Sequence, residues 1–116
     1  MIYTSYFGNW RNFPKNSLVA AITRYPPKSW TKLTLEFLAP SVSLLNEYKN
    51  HQIDEFMFKV HYLQELQDRN LTPQYVNWAL NKCANGRDLI LCCYEKPTDF
   101  CHRHILAEWL GGVKEL

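Results

Sequence analysis

Two stretches, "LVAAI" at residues 18–22 and "LILCC" at 89–93, are apolar at every consecutive position rather than at every second one. A strand with one buried face alternates apolar and polar residues. A strand that is apolar throughout is packed on both faces, as in parallel sheets covered by other elements. "IYTSYF" near the start is rich in β-branched and aromatic residues and stops at Gly8-Asn9, so it reads as a further strand. Leu33, Leu35 and Phe37 alternate over a short strand, and Pro40-Ser41 opens a helix through Leu44, Leu45 and Tyr48.

Helical periodicity fills the intervals. Ile53, Phe56, Val60, Leu63 and Leu66 form one stripe, Val76, Ala79, Leu80 and Cys83 a second, and Ile105, Leu106, Trp109 and Leu110 a third. Thr72-Pro73 is an N-cap followed by proline at the first helical position, and Gly86 ends that helix. Thr98 or Asp99 caps the last helix, which Gly111-Gly112 closes. Buried strands separated by helices predict an α/β protein: a small single three-layer domain over residues 1–116, with a short, mostly parallel sheet flanked by helices.

With 116 residues, 47% of them hydrophobic, the chain supports one core without covalent staples. A net charge of +2 argues against bulk nucleic-acid binding. "MIYTSYFGNW" lacks the charged start and apolar run of a secretory signal, and no apolar run approaches the roughly 20 residues that span a bilayer. A cytoplasmic location with no membrane partner and reduced thiols is expected. Cys92 and Cys93 are neighbours on a strand and point to opposite faces. Cys83, on an apolar stripe, is expected in the core. The aromatic residues permit a homodimer without requiring one.

In open parallel sheets, ligands bind beyond the carboxyl ends of the strands. Here those ends are Tyr6 to Trp10, Thr23 to Pro27, and the turn from Glu95 to Arg103. The last is dense in chemistry. A helix starting near Cys101, His102 and Arg103 presents free amides and a positive dipole end, which favours an anion and a thiolate. Arg103 adds a planar donor fork, Arg24 a second, and Lys96 a third cation.

The expected function is binding of a phosphate-bearing small molecule, most simply a nucleotide, either as a sequesterer or as a thiol-dependent enzyme. Cys101, Glu95 and His102 are the candidate catalytic residues, and Arg24, Arg103, Lys96, Tyr6 and Trp10 the candidate ligand contacts. The identity of any cofactor is left open by the sequence. A phosphatase loop does not fit, because nine residues separate Cys93 from Arg103. A zinc or iron site from Cys92 or Cys93, Cys101, His102 and His104 is an alternative. Its spacing is loose, with seven residues between Cys93 and Cys101, so no metal ligands are assigned. The other alternative is an interaction protein with a structural cysteine cluster, its arginines paired with Glu95 or Glu36.

"LILCCYEKP" followed by "FCHR" resembles the Cys-x-Glu…Cys-His-Arg signature of the small bacterial and phage proteins grouped as domain of unknown function 488. "IYTSYF", "ITRYPP" and "LAPSVSLLNEYK" are similar to that family's other blocks. The resemblance implies a compact α/β domain with a pocket around the signature. Residue by residue it points to Arg24, Cys93, Glu95, Lys96, Cys101, His102 and Arg103. It implies no particular activity.

Overall fold

The computed structural model describes residues 1–96 and 98–116. In chain order the elements are β1 (Ile2–Tyr6), a 3-10 turn (Phe7–Asn12), β2 (Leu18–Ala21), β3 (Leu33–Thr34), a short 3-10 turn (Glu36–Leu38), α1 (Val42–Lys49), α2 (Glu55–Asp68), α3 (Pro73–Ala84), β4 (Leu89–Cys93), α4 (His102–Leu110) and β5 (Lys114–Glu115). The five strands form one sheet in the order β3-β2-β4-β1-β5, and every pairing is parallel. The expected α/β class holds.

Both apolar runs become interior strands. All five residues of β4 are buried, and it lies between β1 and β2 with Cys92 opposite Ser5 and Ala21. Its alternation divides the molecule. Leu89, Leu91 and Cys93 join Leu44, Phe58, Tyr62, Leu66, Val76, Leu80, Ile105 and Leu106 in one core shared with all four α-helices. Cys92 turns to the other face, where Phe7, Trp10, Phe13, Val19 and Trp30 wall a cavity of about 230 Å³. The covering layer on that side is thus the Phe7–Asn12 turn and its flanking loops.

Helix starts follow local chemistry. Ser41, Asp54 and Thr72 each accept a backbone N–H from three residues ahead with a side-chain oxygen, as N-caps do. The phase of α2 departs from the expected stripe. Its buried residues are Phe58, Tyr62 and Leu66, while Phe56 is 70% and Val60 43% exposed. The cause is Tyr62, whose hydroxyl donates to the Leu38 carbonyl at 2.5 Å and so allows the whole ring into the core. Burial raises the Tyr62 pKa, and the phenol stays protonated. Cys83 also departs from expectation. It is exposed on α3, because Val76, Leu80 and Ala84 form the buried face.

Tyr62→Phe should cost about 1–3 kcal/mol in urea unfolding, since it leaves the Leu38 carbonyl buried and unpaired. Phe56→Ala should stay within about 0.5 kcal/mol of the native chain. Equal losses would contradict the observed phase of α2.

Candidate functional site

Beyond β4 the Asp99 N–H donates to the Lys96 carbonyl at 3.0 Å in a turn, and Cys101, the N-cap of α4, has extended backbone with φ −152° and ψ 144°. The expected caps, Thr98 and Asp99, lie before the helix, and Cys101 lies one position outside it. Extended backbone at this point carries the Cys101 sulfur to Cys93, the last residue of β4. Their Sγ atoms are in bonding contact, with the Cα atoms 7.7 Å apart. Contrary to the expectation of reduced thiols, these two cysteines, eight positions apart, are joined, and both are buried.

His102 opens the helix and is buried. Its Nε2 lies 2.6 Å from the Ile22 carbonyl, and its Nδ1 lies 3.9 Å from the Cys101 sulfur. Burial pushes its pKa down to about 4, with the Arg103 and His104 charges adding to the effect and the Ile22 contact opposing it. The imidazole is therefore neutral at pH 7. A carbonyl only accepts, so Nε2 holds the proton and Nδ1 turns a lone pair toward the sulfur.

Arg103 is completely buried. Its Nε and Nη2 donate to the Glu115 carboxylate, with Nη2 at 2.9 Å. Its Nη1 donates to the Cys93 sulfur at 3.0 Å and to the Glu95 carbonyl at 2.5 Å. Glu115 also accepts from the Thr4 hydroxyl at 2.7 Å, and β5 delivers it by pairing Thr4 with Glu115. Sequence reasoning missed Glu115. It belongs to a two-residue strand with no motif, and its only signal is a lone carboxylate that a buried arginine needs.

The remaining candidates are dispersed. Arg24 pairs with Glu36 at 3.1 Å, which matches the structural alternative for that residue. Glu95 and Lys96 are exposed, and Tyr6 is half-buried opposite Cys93. Trp10 lies with Cys92 at the cavity on the other face, and the Arg11 guanidinium stands 5.1 Å above its ring. Burial pushes the Cys92 pKa up to about 12, which keeps it a thiol despite the opposing Arg103 charge.

A cavity of about 150 Å³ reaches the cluster, lined by Tyr48, Lys49, Phe58, Glu95, Phe100, Cys101 and His102 among others. Phe100 packs against Tyr48 and Phe58 at centroid distances of 5.0 and 5.3 Å. A wider hollow of about 540 Å³ between α1 and α2 shares Tyr48 and Lys49 but contains no thiol. The smaller one is the candidate site because Cys101 and His102 open into it.

Fold and site together define a small all-parallel α/β domain with a buried Cys–His–Arg cluster beyond the carboxyl end of its central strand. The chain belongs to the family DUF488-N3a, described as "Active DUF488-N3 subclade", whose sequence model matches residues 7–113. No curated protein and no solved structure matches it. Among the described residues, no helix is long and apolar enough to cross a membrane.

Two predictions follow from the charges. Glu115→Ala strands a buried guanidinium and should cost about 3–5 kcal/mol, whereas Glu36→Ala, at a partner 59% exposed, should cost less than about 1 kcal/mol. Comparable losses in chemical denaturation would show that Glu115 is not the essential counterion. For His102 the folded pKa lies below the unfolded value of about 6.5. Its contribution is present above pH 6.5 and is lost as pH falls toward 4, by on the order of 3 kcal/mol. His102→Gln should remove one proton from that slope, and an unchanged slope would refute the assignment.

Proposed function

We propose that this protein is a thiol-dependent enzyme acting on a small phosphate-bearing molecule, most simply a nucleotide, with Cys101 as the reacting sulfur. One observation carries the reading: Cys101 and His102 open together into an aromatic-walled cavity, with the His102 lone pair turned toward the Cys101 sulfur. Tyr48 and Phe100 give the cavity an aromatic wall suited to a planar group. Lys49 at the same cavity is the cation for a phosphate. Arg103 is engaged with Glu115, so its role is to hold Cys93 and the turn in place rather than to meet the ligand. The word "active" in the description of the subclade favours chemistry over plain sequestration.

In the dithiol form, Cys101 gives its proton to His102 Nδ1 as its sulfur bonds an electrophilic centre of the ligand. The displaced group departs with the proton that His102 returns. Glu95, on the same cavity, is a second acid/base group. The step uses no external oxidant or reductant.

The test is alkylation of Cys101 in reduced protein, mapped by peptide mass spectrometry, with and without a panel of nucleoside phosphates. At least one nucleotide should slow labelling severalfold, Lys49→Gln should weaken that protection, and any conversion of the nucleotide should vanish in Cys101→Ser. Labelling at the same rate with every nucleotide would sink the proposal. Protection without conversion by any preparation would reduce it to a binder.

A further inference from the structure

We infer that, with both thiols reduced, Cys93, Cys101 and His102 bind one thiophilic divalent cation of the zinc class. Their donor atoms all lie within 4.8 Å of one another, and all three residues are buried. Each is set by a regular element: the end of β4, the cap of α4 and the first residue of α4. The Cα atoms of Cys93 and Cys101 stand 7.7 Å apart. That is wider than the span of about 4.4–6.8 Å over which disulfides usually form, so once reduced the two side chains can part and admit an ion without moving the backbone closer.

The surroundings are those of a metal centre. His102 anchors Nε2 on the Ile22 carbonyl and leaves Nδ1 facing the cysteines, the outer contact that orients a metal-binding imidazole. Arg103 donates to the Cys93 sulfur, as a second-layer group does to a bound thiolate. Charge selects the ion. Glu115 already balances Arg103, so two thiolates leave a deficit that a dication cancels within the buried cluster. Two thiolates and an imidazole favour zinc over magnesium or calcium.

Zinc binding displaces two thiol protons and changes no oxidation state, and the sulfur-bonded form does not take the ion. Three protein ligands leave a fourth position, and Cys101 and His102 open toward Glu95 in the cavity. A metal there caps Cys101, so zinc and free-thiol chemistry exclude one another. The inference requires only the dithiol and does not rest on the proposed nucleotide.

The experiment is a titration of the full chain with Co²⁺ and then Zn²⁺, after phosphine reduction under nitrogen and removal of metal with a chelator. One Co²⁺ per chain should appear with thiolate-to-cobalt charge-transfer absorption and the intense visible bands of a tetrahedral site, and one Zn²⁺ should displace it. Cys93→Ser and Cys101→Ser should each weaken binding beyond the roughly 10–100-fold typical of outer-layer changes. Cys83→Ser and Cys92→Ser should match the native chain. Absence of the charge-transfer band in the native chain overturns the inference, even if the serine variants fail to fold. So does affinity unchanged in both Cys93→Ser and Cys101→Ser. Cobalt binding without nucleotide protection would defeat the proposed ligand alone, and protection without cobalt binding would defeat the metal site alone.

Discussion

The buried guanidinium of Arg103 is the group around which the rest of this domain is arranged. A cation without solvent contact is tolerable only when its charge is matched and its donors are used. Here the partners come from three places: Glu115 on the edge strand β5, the sulfur of Cys93 at the end of β4, and the Glu95 carbonyl in the turn that follows. One side chain on α4 therefore ties together an edge strand, a central strand and the loop between strand and helix. The short β5 also makes sense in these terms. Two residues of strand contribute little as a ladder, but they bring a carboxylate to a site that requires one.

That arrangement redistributes the charge expected of the site. From sequence, Arg103 and Arg24 look like two arms for an anion. In the fold each is engaged by a carboxylate, Arg103 in the interior and Arg24 near the surface. Lys49, the last residue of α1, lines the cavity that reaches Cys101. The buried arginine shapes the thiol environment from behind, while the lysine, the aromatic rings and the Cys101 sulfur line the cavity.

The class of the fold was readable because fully apolar strands and 3.6-residue periodicity are local signals that tertiary packing reinforced. The join of β4 and α4 was readable as a candidate site for a similar reason. Cysteine, histidine and arginine cluster there within a dozen residues, where a parallel sheet offers a crevice. What stayed hidden depends on contacts distant in sequence. The phase of α2 follows from a tyrosine hydroxyl reaching the Leu38 carbonyl, and no hydropathy pattern records that. Glu115 could be found only by asking what balances Arg103. The exposure of Cys83 reflects how α3 rolls onto the sheet, and a cysteine on an apolar stripe does not report that roll. Cys101 occupies the N-cap position of α4 without a side-chain cap bond, its sulfur meeting Cys93 instead, whereas capping statistics favour the preceding threonine and aspartate.

The contrast between Cys92 and Cys93 shows how the period of a strand assigns chemistry. The two are covalent neighbours of the same type with nearly equal burial. One faces the aromatic layer, where burial pushes its pKa up to about 12 and it remains an inert thiol. The other faces the helices, where Arg103 donates to its sulfur and Cys101 and His102 complete a cluster. A one-residue shift of β4 between β1 and β2 would exchange them, moving the Cys93 sulfur away from Arg103 and under the Phe7–Asn12 turn. Register here is secured by apolar residues on both faces, so the hydrophobic core itself determines which cysteine reaches the site. The packing that makes β4 unremarkable as a strand is thus what makes the position of Cys93 chemically specific.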